Sequence, residues 1–273
     1  MSMPLPPLYG HEGLKNRLDG AITSGRLPQS LLLAGPPGVG KQRLGLWLAQ
    51  TLLCSARNNG PCGVCEHCRR VADVAHPDLH WFVPLEPPKR PLDDAKKLEW
   101  VEGTLGEVLA ARRQVPLYER PSGMASHSMA SVRLLLRRVQ MRPALGRAKV
   151  ILVGDAERLI VQEASPEAAN ALLKALEEPP RDTYMVLTAA DPDALLPTIR
   201  SRVVTIRVPR LPDSVVTAFV QQEIRPALSA KEVERRVSVA DGSIGQAIAS
   251  TSAAGGPRSA PRGPSVAGRR STS

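Results

Sequence analysis

The run Gly35-Pro36-Pro37-Gly38-Val39-Gly40-Lys41-Gln42 matches the phosphate-cradling pattern GxxxxGK[ST] at every fixed position except the last. Its glycines let backbone N–H groups converge on phosphate oxygens, and Lys41 is placed to reach terminal phosphates. A helix starting at the loop adds partial positive charge. Gly35, Pro36, Gly38, Val39, Gly40, Lys41 and Gln42 are therefore candidate contacts for ATP or ADP. Gln42 stands where Ser or Thr would give a hydroxyl to magnesium. An amide on a longer stem suits that ion poorly, so phosphate binding can survive while magnesium placement is not expected. A glycine-rich turn without a ligand is the plain alternative.

A metal-assisted phosphate site also needs an acid at the end of a neighbouring strand. Lys149–Val153 is the clearest buried strand in the chain, and Asp155 lies just past it. Asp155 can take the metal-facing role; an ordinary strand-end turn residue is the alternative. Hydrolysing enzymes of this type follow that Asp directly with a Glu that activates water. Here Ala156 fills the slot, and Glu157, one residue late, is expected to point elsewhere. Gln42 and Ala156 both weaken the same reaction.

Cys54, Cys62, Cys65 and Cys68 are spaced C-x7-C-x2-C-x2-C. Four thiolates in so short a segment match a closed tetrahedral zinc site with a structural role. The iron–sulfur alternative lacks the usual C-x2-C-x2-C-x3-C-P run. Disulfides are not expected in a reducing cytosol. His67 and His76 lie nearby and read as surface or packing residues rather than ligands.

Periodicity predicts the elements that hold these groups. Ser30–Ala34 is a short apolar run, as in a buried parallel strand, and Gln42–Leu53 has leucines at helical spacing. Strand, glycine-rich loop and helix thus come in the required order. Leu14–Ile22, Asp93–Arg112 and Ser128–Met141 read as helices, the last with Ser128 as N-cap. Another helix is expected to open at Ser165 and Pro166 and to stop at Pro179–Pro180. Leu79–Val83, Tyr184–Leu187 and Val203–Val208 read as further strands. Alternating strands and helices predict an α/β fold with a parallel sheet covered on both faces. The expected division is a P-loop domain over 1–209, carrying a knuckle at 54–68 and an insert at about 86–130, then a small helical domain over 210–249. Residues 250–273 are Gly/Ser/Pro/Arg-rich and are expected to form a disordered basic tail.

A chain of 273 residues suffices for one large core and a smaller domain. Aromatic residues make up only 3%, so aliphatic packing must carry the core. The net charge of +10, with Arg258, Arg262, Arg269 and Arg270 in the tail, fits a polyanion such as DNA. A basic protein without such a partner is the plain alternative. MSMPLPPLYG shows no basic segment followed by an apolar run, and no apolar stretch is long enough to span a bilayer. A cytoplasmic protein with no membrane partner is expected.

As a set, these residues resemble the bacterial DNA polymerase III clamp-loader family of AAA+ proteins, and within it the delta-prime branch. The resemblance runs through Tyr9-Gly10-His11-Glu12, Gly25-Arg26-Leu27-Pro28, the phosphate loop, the four-cysteine knuckle and His76-Pro77-Asp78. It is densest over Lys149–Arg202, with Asn170-Ala171-Leu172-Leu173-Lys174 and Leu176-Glu177-Glu178-Pro179-Pro180. Ser201-Arg202-Val203 is similar to the family's Ser-Arg-Cys motif.

The resemblance implies an AAA+ P-loop domain followed by a helical lid. It also implies a stator that helps ATP-dependent loading of the sliding clamp onto primed DNA during replication, without hydrolysing ATP itself. Its partners would be the gamma or tau and delta subunits, with clamp and DNA reached through the complex. Arg202 would be the catalytic residue, an arginine finger acting in trans on a neighbour's ATP. The family's gamma-phosphate-sensing threonine falls near Ala189–Ala190, beside Thr188, and the lid arginine of Gly-Ser-x-Arg falls at Gly245. Both departures favour the stator. The family's all-helical collar is not read between the lid-like unit and the tail.

An active gamma/tau-like ATPase is one alternative, opposed by Gln42, Ala156 and Gly245. An unrelated zinc-containing P-loop enzyme acting on nucleic acid is another. It predicts catalytic groups within 86–130, where only scattered polar residues such as Glu119 and His127 occur.

Overall fold

The computed structural model describes residues 5–114, 123–159, 172–224 and 227–249. Five strands, β1 (Ser30–Ala34), β2 (Leu79–Phe82), β3 (Lys149–Val153), β4 (Thr183–Ala189) and β5 (Val204–Arg207), form one sheet in the order β2-β3-β4-β1-β5. Every pairing is parallel, with Leu32 opposite Leu187 and Val153 also opposite Leu187. All five residues of β1 and of β3 are buried. Successive strand side chains face opposite ways, so burial without alternation means both faces are covered.

The helices are α1 (Glu12–Thr23), α2 (Lys41–Leu53), α3 (Glu66–Ala72), α4 (Asp94–Gln114) and α5 (Met129–Gln140). They continue with α6, whose described residues are 172–177, then α7 (Pro197–Arg200), α8 (Asp213–Glu223), α9 (Ala230–Ala240) and α10 (Ile244–Ala249). Strand β4 runs longer than its apolar stretch predicts because it pairs on both sides, with β1 and with β3. The expected helix start at Ser165 and Pro166, Asn170-Ala171, Glu119 and the tail over 250–273 lie outside the described residues.

Two sets of polar contacts fix the starts of β3 and β2. Lys149, at the start of β3, is buried, and its Nζ donates to the carbonyls of Arg138 and Val139 at 2.7 and 2.8 Å and to that of Met141. A cation thus satisfies the end of α5, where the helix dipole is negative. Asp78 leads into β2, and its carboxylate accepts N–H bonds from Leu145 and Gly146 at 2.9 and 2.6 Å. This bond set gives His76-Pro77-Asp78 a physical role, pinning the turn before β3. Apolar side chains between Leu5 and Val208 pack into one core, and those between Leu211 and Ala247 into a second, smaller one.

Candidate functional site

The carboxyl ends of β1, β3 and β4 bring the phosphate loop, Asp155 and Thr188 to one edge of the sheet, where parallel α/β sheets bind ligands. Gly38 and Gly40 hold φ of 75° and 98°, a left-handed backbone that favours glycine, and Gly40 leads into α2. Lys41 is buried, and its Nζ donates to the carbonyls of Gly35 and Pro36 at 2.8 Å each. Val39 is fully buried, and His11 Nε2 donates to its carbonyl at 2.8 Å. The loop is therefore braced from the Tyr9-Gly10-His11-Glu12 segment.

Across from the loop, Asp155 adopts a φ of 51°, and its N–H donates to Thr188 Oγ1 at 3.0 Å. Thr188 is fully buried and is thus engaged in holding the acid. His127 Nε2 donates to Gly154 O at 2.8 Å, and burial keeps the pKa of this ring below the usual histidine value. Gln42 Nε2 donates to Asp155 Oδ2 at 3.2 Å. Its Oε1 accepts from Trp81 Nε1 at 3.2 Å and from an Arg112 guanidinium N–H at 3.4 Å. That guanidinium lies 4.5 Å over the Trp81 ring. The helix carrying Arg112 and the turn carrying His127 both belong to the 86–130 segment, which shows no recognisable site in sequence. Neither residue is marked by a motif; each reaches the site through packing.

Ala156 is fully buried and presents no polar group. Glu157 turns to the end of β4, where its Oε1 accepts the Ala190 N–H at 2.9 Å. The small helical unit closes over the loop. Ser243 Oγ donates to Pro37 O, and Gly245 N to Gly38 O, both at 3.0 Å. Tyr9 bridges to the same unit through bonds to Gln222 and Glu223 and an edge-on contact with Phe219, ring centroids 5.2 Å apart.

The four cysteine sulfurs lie within 4.8 Å of one another. Cys54–Cys65 and Cys62–Cys68 are each separated by 3.9 Å. A tetrahedral ion with metal–sulfur bonds of about 2.3 Å spaces its sulfurs by about 3.8 Å, so the cluster fits a single ion. A cluster would spread the thiolates over several irons. N–H groups of Cys62, Cys65 and Cys68 point at Cys54, Cys62 and Cys65 sulfurs at 3.3–3.4 Å, which favours thiolates. His67 and His76 bond each other at 2.8 Å and stand outside the metal-capable group.

Arg202 follows α7. Its Nε donates to Glu177 Oε2 at 3.1 Å and a terminal N–H to Thr198 O at 3.0 Å. Its side chain remains partly exposed beside that pair.

The sequence profile of the family described as DNA polymerase III, delta subunit, matches residues 10–212. The chain belongs to this DNA polymerase III delta-subunit family. The bounds of the match enclose the 86–130 segment that carries Arg112 and His127. DNA polymerase III subunit delta' of Pseudomonas aeruginosa is 34% identical over 78% of this chain and 52% of its own length. Subunit delta' of Escherichia coli is 29% identical over 85% of this chain and 57% of its own. Subunit tau of Escherichia coli is 31% identical over 71% of this chain and 24% of its own. The family member described here thus spans a little over half the length of those delta' relatives. No helix among its described residues is long and apolar enough to cross a membrane.

Proposed function

We propose that this chain is a clamp-loader subunit of the delta-prime type that does not hydrolyse ATP and that serves a neighbour's ATP through Arg202. The carrying observation is Gln42, whose amide hydrogen-bonds Asp155 where a hydroxyl and a metal ion would be needed. Buried Ala156 in the water-activating slot supports the same reading. The names of the relatives, delta' and tau, support a ring with gamma or tau and delta subunits. The sliding clamp and primed DNA would be met through that ring, in the cytoplasm. Residues 1–209 form the nucleotide-facing unit in this reading, 210–249 its lid, and 250–273 a basic tail. The loop Gly35–Lys41 remains a phosphate site for ATP or ADP. The four-cysteine cluster holds zinc as a structural ion.

Arg202 suits the finger role because its side chain is partly exposed and is steadied by Glu177. A finger stabilises charge on the transferred phosphoryl group. In a complex reconstituted with its gamma or tau and delta partners, Arg202→Ala is expected to slow clamp- and DNA-stimulated ATP turnover by about tenfold or more. Assembly, followed by gel filtration, should be unchanged. An unaltered turnover rate removes the finger role. Turnover by the isolated chain, abolished by Lys41→Ala, overturns the non-hydrolysing reading.

A further inference from the structure

Gln42 does more than lack a hydroxyl. Its carboxamide is held from three sides, by Asp155 Oδ2, Trp81 Nε1 and Arg112. Gly154 makes the room: a Cβ there would lie 2.8 Å from Cδ, Nε2 and Oε1 of Gln42 alike. The carboxamide is therefore a fitted part of the site. Magnesium requires oxygen ligands in near-ideal octahedral geometry at about 2.0–2.1 Å. Here an N–H donor faces the acid oxygen, and admitting the ion would mean breaking the Asp155 bond and the two bonds that lock the amide.

Charge balance points the same way. The Gln42 N–H offers partial positive charge to Asp155, as a cation would. The Arg112 guanidinium brings a full positive charge within 3.4 Å of the same amide. Lys41, Nζ now on two loop carbonyls, and the N-terminus of α2 remain to meet phosphate oxygens.

We propose that this loop holds a nucleoside di- or triphosphate without a divalent cation, the Gln42 carboxamide standing in for the metal beside Asp155. The proposal rests on the reading of Gly35–Lys41 as a phosphate site, and it goes beyond the absence of hydrolysis.

The test is calorimetric titration of the full chain with ADP, once with magnesium and once in magnesium-free buffer without chelator, which leaves the cysteine-held ion in place. Wild type is expected to bind ADP with affinities within about twofold of each other, and Lys41→Ala to lose that binding. Gln42→Thr, which restores the hydroxyl, is expected to bind ADP about tenfold more tightly with magnesium than without. Thermal melts check that Gln42→Thr is folded. Manganese paramagnetic resonance on the ADP complexes gives a second readout: a bound ion in Gln42→Thr and none in wild type. Wild-type binding strengthened about tenfold by magnesium, or a manganese ion bound with ADP in wild type, overturns the proposal and leaves the Arg202 reading standing. No ADP binding under either condition overturns the phosphate-site reading and the proposal with it.

Discussion

Glu157 has one carboxylate oxygen bonded to the Ala190 N–H and the other, Oε2, buried without a hydrogen-bond partner among the described residues. Burial is the main reason its carboxyl is held above the ordinary value of 4.5; Asp155 adds to the rise and the Ala190 bond opposes it. A carboxyl raised in the folded state favours folding while it is protonated. That contribution is full below pH 4.5 and is lost as pH rises through the raised value. Glu157→Gln keeps the shape and cannot ionise. Its melting temperature should match wild type in acid and exceed it at neutral pH. Thermal melts across that range check this, and a difference independent of pH would contradict it. In sequence Glu157 looks merely displaced by one position. The structure shows that the displacement turns it to the end of β4, still within the crevice wall.

At the scale of elements, the cysteine knuckle ties the end of α2 to the start of α3. Cys54 ends α2 and Cys65 is the N-cap of α3, its sulfur accepting the Cys68 N–H. Gln50 Nε2 also donates to Cys68 O at 2.8 Å. An ion held by all four sulfurs would close this segment. One zinc per chain by elemental analysis is expected. Stripping it with a strong chelator should release amide exchange over residues 54–72 while β1, β3 and β4 stay protected. Iron, no metal, or an unchanged exchange pattern would refute the structural-zinc role. The four cysteines are plain in sequence because ligand spacing is local. Helix α3 is not, because cysteine is an unusual cap and the cluster interrupts any apolar period. Helix α5 is legible, since Ser128 caps it by accepting the Ser131 N–H at 3.2 Å and its apolar residues recur at helical spacing. The residue that finishes α5, Lys149, reads in sequence only as the first residue of a strand.

The whole molecule is closed by a glycine–glycine contact between its two cores. A Cβ on Gly245 would lie 2.7 Å from Gly38 Cα, and one on Gly38 would lie 2.3 Å from Ser243 Oγ. Gly245 is thus more than a missing arginine: the backbones approach too closely for any side chain. Gly245 also lies in α10, where alanine would normally be worth about 1 kcal/mol more than glycine. The clash with loop backbone should outweigh that, since overpacking costs about 1–3 kcal/mol. Gly245→Ala is therefore expected to lower the melting temperature, and a rise would show that the helical unit can move off the loop freely.

Local order in the sequence determined the loop, the knuckle, the buried strands and most helices, because each rests on contacts within a few residues. It also located Gln42 and Ala156 as departures from a hydrolysing site. Only the tertiary structure decided what surrounds them. Parallel crossovers bring Trp81, Arg112 and Asp155 around Gln42, and they seat Ser243 on Pro37 from 206 positions away. Such meetings leave no period or spacing in the chain. They arise when strand ends converge on one edge of a sheet and two cores pack face to face. That convergence turns the amide of Gln42 from a defect in a motif into a fitted partner for Asp155.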